Sequence, residues 1–245
     1  MHRFFVPKEN IGDSDVRFSK EQAHQIRNVL RIGSGRNVIV LDNAGSEYEV
    51  VLTTVERDTA SGRILAKRAA KGEPEVQITL FQALLTREKF EWVLQKCTEI
   101  GVARFVPVVT ERTIVRDTSI KPGKFERWRQ IITEAAEQSH RGIIPQLARP
   151  VTLPEALLET KDCDQTLIAY ECEQGATLRE ALRTGPSASG KIAVFIGPEG
   201  GFAEHEVELA REHSAVPVSL GPRILRTETA AIVAASLILY ELGQM

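Results

Sequence analysis

From residue 76 onward, short apolar runs alternate with segments of helical periodicity, and this alternation restricts the fold more than any other feature of the chain. The runs are almost wholly apolar, as in KIAVFIG at 191–197. Strands of this kind belong to a parallel sheet that helices cover on both faces. We therefore predict an α/β fold over residues 76–245, in which ligands bind at the carboxyl ends of the strands.

The first 70 residues have a different pattern, because β-branched runs follow one another closely. NVIVLD and SEYEVVLTTV are joined by a turn at Asn43-Ala44-Gly45, and GRILAKRAA is a further predicted strand. Before them, SKEQAHQIRNVLRI has helical spacing, with Ser19 as its capping residue. We predict a barrel-like domain over 1–70, a linker over 71–75 and the α/β domain over 76–245.

Composition excludes several classes of protein. The chain has 245 residues, no apolar run near the roughly 20 residues that span a bilayer, and no apolar signal segment at its N-terminus. Three cysteines without a C-x-x-C pair argue against a disulfide framework. We expect a cytoplasmic protein without a metal or a membrane partner. Residues 76–149 carry 12 Lys/Arg and 8 Asp/Glu, whereas residues 150–245 carry 7 Lys/Arg and 14 Asp/Glu. This uneven distribution permits a polyanion-binding face in the basic part, or it merely reflects uneven surface charge.

Two predicted strands end in Gly-Pro turns, IGPEGGF at 196–202 and LGPRILRTETA at 220–230. Three glycines in five residues let the backbone approach a ligand closely, and neither turn matches the usual phosphate-binding patterns. Each turn alone could be a tight connection, but two at neighbouring strand ends favour a ligand site. Thr227 is predicted to cap the last helix. Arg223 and Arg226, unfavourable at a helix N-terminus, indicate an anionic partner unless Arg226 simply pairs with Glu228.

These two loops, in this order, resemble the signature loops of the RsmE family. Its members are SPOUT-class, S-adenosylmethionine-dependent methyltransferases that modify N3 of a uridine in small-subunit 16S ribosomal RNA. The resemblance covers most of the chain, although YECEQG at 170–175 matches only in its acidic residue. The other stretches that carry it are RFFV at 3–6, HQIRNVLRIGSG at 24–35, EWVLQKCTEIGV at 91–102, TERTIVR at 110–116 and RWRQIITEAAEQSHR at 127–141.

The resemblance implies a C-terminal SPOUT α/β-knot, with a deep trefoil knot, and an N-terminal PUA-like β-barrel. It also implies a homodimer that acts on 16S rRNA, within the 30S subunit, with S-adenosyl-L-methionine as methyl donor. The donor-binding residues that it implies are Tyr170, Glu171, Gly197, Pro198, Glu199, Gly200, Gly201, Leu220, Gly221, Ile224 and Leu225.

Methylation at uridine N3 requires removal of a proton and stabilisation of charge on the two carbonyl oxygens. Arg226 or Arg141 could supply the stabilising donor, and Glu228 or Glu199 could accept the proton if it is buried. Of these, Arg226 and Glu228 rank first because they are next to the donor loop. Candidate RNA-binding residues are the cations near apolar or aromatic neighbours and the pairs four residues apart, namely Arg3, His24, Arg27, Arg31, Arg112 and Arg116.

Two other functions remain open at this point. An enzyme of another class would use a nucleotide or dinucleotide cofactor, although the missing phosphate motifs argue against it. A non-catalytic RNA-binding factor in ribosome assembly would keep the N-terminal module with a decayed C-terminal domain, and intact Gly-Pro loops argue against that decay.

Overall fold

The structure, a computed structural model, describes residues 1–114, 119–183 and 190–245. Contacts between residues divide it into two units. The first contains Met1–Glu73 and Ala136–Ile144, and the second contains Pro74–Ala135 and Pro145–Met245. The predicted linker at 71–75 gave no sign that the segment Ala136–Ile144 packs with the N-terminal residues.

The first unit is a curled five-stranded sheet. Its strands lie in the order β1-β3-β4-β5-β2, with β1 and β3 parallel and the other pairs antiparallel. Register shifts between β4 and β5 bend the sheet around its apolar core. The strands are β1 (Arg3–Phe5), β2 (Asp15–Phe18), β3 (Asn37–Leu41), β4 (Ser46–Val55) and β5 (Ala60–Ala69).

The predicted N-terminal helix is present but shorter and less regular than its spacing indicates. Ser19 caps α1 (Lys20–His24) in a capping box with Gln22, as predicted. The chain then widens into a π-helical turn over Gln25–Val29, where Leu30 N–H donates to the Gln25 carbonyl at 2.9 Å. The helix therefore ends before Arg31, whose φ of 56° lies in the left-handed region.

The segment Ala136–Ile144 is fixed to the first unit by apolar contacts and by one carboxylate. Ala136 and Ile144 pack with side chains of β1 and β3. Glu73 accepts hydrogen bonds from Arg141 Nη2 at 2.7 Å and Nε at 3.2 Å, and from the N–H groups of residues 142 and 143. A single acidic residue thus satisfies several donors that would otherwise be unpaired.

The second unit is built on the predicted parallel sheet. Its main path is β12-β10-β11-β6-β7-β8, and β9 also pairs with β7. The sequence predicts every strand of this sheet except the two-residue β8 and β9. The strands are β6 (Gln77–Ala83), β7 (Arg104–Val109), β8 (Gln146–Leu147), β9 (Val151–Thr152), β10 (Gln165–Ala169), β11 (Lys191–Ile196) and β12 (Val216–Val218).

Helices cover both faces of this sheet, which explains why its strands are apolar on both sides. On one face, Phe81 and Phe195 stack with ring centroids 4.3 Å apart beneath α4 and α6. On the other, α7 lies against β6, β11 and α2. The helices are α2 (Arg87–Ile100), α3 (Pro122–Gln138), α4 (Leu153–Leu158), α5 (Leu178–Arg183), α6 (Glu204–Glu212) and α7 (Thr227–Glu241).

Of these helices, only α4 lacks a sequence prediction, because its six residues give too short a periodic signal. Gly101 ends α2 as predicted, with a φ of 127° that favours glycine. In the described ranges, no helix is long and apolar enough to cross a membrane. The trefoil knot stays a prediction.

Candidate active site

A cavity of about 750 Å³ opens at the carboxyl ends of β10, β11 and β12. These three strands are neighbours in the sheet, so the loops that follow them converge. The structure brings together all the residues that the sequence predicts for donor binding: Tyr170, Glu171, Gly197, Pro198, Glu199, Gly200, Gly201, Leu220, Gly221, Ile224 and Leu225.

Backbone geometry accounts for two of the glycines. Gly201 has a φ of 67°, and a Cβ there would lie 2.0 Å from Glu171 Oε1, so the loops after β10 and β11 touch at this point. Gly221 has a φ of 109° but no atom within 4 Å of its Cβ position. Glycine is needed for space and conformation at the first position and for conformation alone at the second.

Thr227 joins the loop after β11 to the start of α7. Its hydroxyl donates to the Gly197 carbonyl at 2.5 Å and accepts from Gln82 Nε2 at 3.1 Å. The prediction that Thr227 caps α7 is wrong, because the N-cap position is Arg226 and the threonine hydroxyl is directed to Gly197 instead. Thr227 and Gln82 are both buried, so this chain of hydrogen bonds is shielded from water.

The charged residues around the cavity differ in their partners. Glu228 Oε2 is buried without a hydrogen-bond partner, and no ion pair in the described ranges joins Glu228 to the exposed Arg226. Glu199 is engaged, since Lys89 Nζ lies 2.9 Å from its Oε1. A buried carboxylate oxygen without a partner is a position at which an N–H group of a ligand can donate.

Tyr170 at the end of β10 has an altered acidity. Its hydrogen bond with the Cys172 side chain raises the pKa of the phenol, and burial and the nearby carboxylates of Glu171 and Glu204 raise it further. Tyr170 also lines the cavity.

Arg141 does not line this cavity, although the sequence suggested it as a catalytic donor. It belongs to the first unit, where its side chain is 3% exposed and pairs with Glu73. The Arg141 guanidinium is therefore used to hold the chain in place.

Arg3 is likewise used within the first unit, although we predicted that it contacts RNA. Its side chain is only 10% exposed and pairs with the buried carboxylate of Glu47, which also pairs with Arg68. This internal neutralisation argues against a contact between Arg3 and phosphate.

Three other predicted RNA-binding residues are exposed on the first unit, namely His24, Arg27 and Arg31. Arg27 and Arg31 are four residues apart, a spacing that would put them on one face of a regular helix, but the π-helical turn ends before Arg31 and they do not share such a face. Their contact with RNA stays a prediction.

The remaining two predicted RNA-binding residues follow β7. Arg112 is exposed, and its Nη1 donates to the carbonyls of Gly200 at 2.9 Å and Phe202 at 3.3 Å. Arg116 lies outside the described residues. Arg112 thus contacts the loop after β11, which sequence reasoning did not anticipate.

Sequence reasoning missed several polar residues at the cavity, namely Lys89, Glu173, Gln174 and Ser219 in its lining and Gln82 behind it. Gln82 interrupts the otherwise apolar end of β6, and that interruption was a usable signal because a buried amide needs hydrogen-bond partners. Lys89 lies on an exposed turn of a helix and gave no such signal. Among the residues described, no group of His, Cys, Asp or Glu could hold a metal ion.

Comparison with known proteins agrees with this geometry. A family model described as an RNA methyltransferase domain matches residues 72–239, a range that contains most of the second unit. The ribosomal RNA small subunit methyltransferase E of Bacillus subtilis (strain 168) is 34% identical over 98% of this chain and 97% of its own length. That of Synechocystis sp. is 33% identical over 95% of this chain and 75% of its own length.

A crystal structure of ribosomal RNA small subunit methyltransferase E from Neisseria gonorrhoeae, bound to S-adenosyl methionine, has the same fold. Its TM-score is 0.88 at 32% identity, with 98% of this chain and 97% of that chain covered. The parallel sheet of the second unit and the curled sheet of the first match the SPOUT domain and the N-terminal barrel predicted from the sequence. The chain belongs to the ribosomal RNA small subunit methyltransferase E family.

Proposed function

We propose that this chain transfers a methyl group from S-adenosyl-L-methionine to N3 of a uridine in 16S ribosomal RNA. The observation that carries the proposal is the cavity at the ends of three neighbouring parallel strands, lined by all the residues predicted to bind the donor. Full-length relatives named as methyltransferases of small-subunit ribosomal RNA support the substrate class.

The residues present fit this donor, which carries a sulfonium, an ammonium and a carboxylate group, and so a net positive charge, besides its adenine ring. Four carboxylates and three cationic side chains line the cavity, a balance that suits a positively charged ligand. Apolar side chains such as Ile196 and Leu225 offer a surface for the ring. We propose that the main chain of the loops over 170–171, 197–201 and 220–225 holds the donor.

When bound, the donor supplies a methyl group on a positively charged sulfur, and this sulfur would leave as a neutral thioether when a nitrogen lone pair bonds to the methyl carbon. The chain must free the N3 lone pair of its proton and stabilise the negative charge that spreads to the uracil oxygens. We propose that Glu228 accepts the proton, because its buried Oε2 has no partner in the described part of the chain. We propose that Arg226 stabilises the negative charge on the uracil oxygens. Glu199 is the second candidate for proton acceptor, because it is already paired with Lys89.

We further propose that the protein acts as a homodimer on the RNA of the 30S subunit, and therefore in the cytoplasm. Helix α7 has no charged residue between Glu228 and Glu241, so it is apolar on all sides. Leu237 and Tyr240 of α7 are 38% and 64% exposed, and Trp92 of the adjoining α2 is 50% exposed. A second copy would cover these side chains, and sedimentation analysis tests this.

The test of function incubates the purified protein and labelled S-adenosylmethionine with free 16S RNA or with 30S subunits from a strain that lacks the activity. We expect label in N3-methyluridine, identified by mass spectrometry of nucleosides. Retention of the donor without methylation of either substrate would support the assembly-factor alternative. Retention of NAD(P)H and not of the donor would support an enzyme of another class.

A further inference from the structure

Arg112 contacts the donor-binding region from a position outside the cavity. The region in question, residues 197–202, is called the 197–202 loop below. Arg112 Nη1 donates to two carbonyls of this loop, at 2.9 Å and 3.3 Å, while Arg112 itself is not among the residues that line the cavity. A hydrogen bond from a charged donor to a carbonyl is stronger than one between neutral groups. The guanidinium therefore holds the conformation of a backbone segment whose other side faces the ligand site.

Gly200 is the residue that permits this contact. A Cβ at Gly200 would lie 3.3 Å from Arg112 Cβ and 3.4 Å from its Cδ, at the near limit of van der Waals contact, so the arginine would have to shift by a few tenths of an ångström. Unlike Gly201, Gly200 does not have a left-handed φ. What favours a small residue on this side of Gly200 is therefore the approach of the arginine side chain, and not the backbone conformation.

A second set of contacts fixes the backbone of Arg112 without using its side chain. The buried Glu206 carboxylate accepts from Glu111 N–H at 2.8 Å and from Ala203 N–H at 2.9 Å. The hydroxyls of Thr110 and Thr113 lie 2.8 Å apart and close the turn that contains Arg112. Replacing the Arg112 side chain should therefore leave its segment attached to the loop.

We propose that Arg112 is a positioning residue for the methyl donor, which acts by holding the carbonyls of the 197–202 loop. This inference rests on the proposed function. It also changes the interpretation of the sequence, in which Arg112 was a candidate for RNA contact. Strands β7 and β11 are separated by β6 in the sheet, so Arg112 links two loops that are not neighbours.

The first experiment compares the wild-type chain with Arg112→Ala and Arg112→Lys. We expect Arg112→Ala to weaken binding of S-adenosylmethionine, measured by calorimetry, by about tenfold to a hundredfold. Arg112→Lys should recover only part of this loss, because an ammonium is a point charge and lacks the planar arrangement of donors. Affinity for 16S RNA without the donor should stay within about twofold of wild type.

Arg127→Ala is the matched control, because Arg127, like Arg112, is an exposed arginine outside the cavity, and its partner is the Glu91 carboxylate and not the 197–202 loop. It should leave donor affinity unchanged. If Arg112 acts on RNA instead, Arg112→Ala will lower RNA affinity and the salt dependence of binding while donor affinity stays at the wild-type value. That result would overturn the inference.

The second experiment is a double-mutant cycle between Arg112 and Gly200. Gly200→Ala should weaken donor binding in the wild-type background and have a much smaller further effect in Arg112→Gly, because Arg112 Cβ, Cγ and Cδ, the atoms nearest a Cβ at Gly200, are then absent. Equal losses in both backgrounds would mean that Gly200 makes room for the ligand itself, and would refute the inference. Absence of donor binding by the wild-type chain would refute the proposed function instead.

Discussion

Replacing Thr227 by valine removes one hydroxyl and keeps the shape of the side chain. The hydroxyl lies between Gly197 O, at 2.5 Å, and Gln82 Nε2, at 3.1 Å. In Thr227→Val the Gly197 carbonyl loses this donor. Gln82 keeps only its bond to its neighbour's carbonyl at 3.2 Å. We expect the 197–202 loop to lose its fixed distance from α7.

The magnitude follows from two hydrogen bonds in a buried position, since Thr227 is 6% and Gln82 1% exposed. Each bond contributes about 1 kcal/mol net, and a buried polar group left unpaired costs about 1–3 kcal/mol. We therefore expect Thr227→Val to lower the free energy of unfolding by about 2–3 kcal/mol. Part of the same loss should appear as donor affinity reduced by roughly tenfold, because the Gly197 end of the loop lines the cavity.

The assay combines denaturant unfolding with calorimetric titration of S-adenosylmethionine. Thr229→Val is the matched control, because Thr229 is an exposed residue of the same helix and does not line the cavity. Thr227→Ser keeps the hydroxyl and should retain most of the donor affinity. If Thr227→Val behaves like Thr229→Val in both measurements, the hydrogen-bond chain does not hold the loop.

Two further predictions concern carboxylates. Glu228→Gln should lower the single-turnover rate of methyl transfer by about a hundredfold or more while donor affinity stays near wild type, and a rate within threefold of wild type would exclude Glu228 as the proton acceptor. Burial of Glu47 opposes ionisation, but Arg68 and Arg3 outweigh burial and lower the pKa of the carboxyl. The ionised carboxylate therefore stabilises the fold fully above about pH 4.3, the pKa of a glutamate in an unfolded chain. The difference in unfolding free energy between wild type and Glu47→Gln should therefore be about 2–3 kcal/mol at pH 7 and should shrink as the pH falls through the lowered pKa; a difference independent of pH down to 3 would contradict this.

The sequence predicts the layered α/β architecture well because apolar runs and helical periodicity directly reflect burial on two faces. KIAVFI and QTLIA are strands that pair in the sheet, and the Gly-Pro turns follow strand ends as expected. The three-residue β1 and the two-residue β8 and β9 escape prediction because elements so short carry no period.

The partners of charged side chains were the least predictable feature. Arg141 and Glu73 are 68 residues apart in the chain, and Arg112 and Gly200 are 88 apart. No local pattern encodes such pairings, since an arginine that binds RNA and one that holds a carbonyl look alike in sequence. The relation between Arg27 and Arg31 was hidden for a different reason, because the helix widens into a π-helical turn and ends before Arg31, where 3.6-residue spacing no longer applies.

Much of the cavity wall is main chain, so its shape depends on residues that do not line it. Gln82, Arg112 and Glu206 are outside the lining. Arg112 donates to the 197–202 loop, Gln82 donates to Thr227, which does the same, and Glu206 accepts from Ala203, the residue that follows the loop. Thr227 lines the cavity but directs its hydroxyl into this supporting set. A chain with intact glycines and an altered support would keep the motif and lose donor affinity. We therefore expect donor binding to depend jointly on the loops and on polar side chains on β6, α6 and the segment after β7.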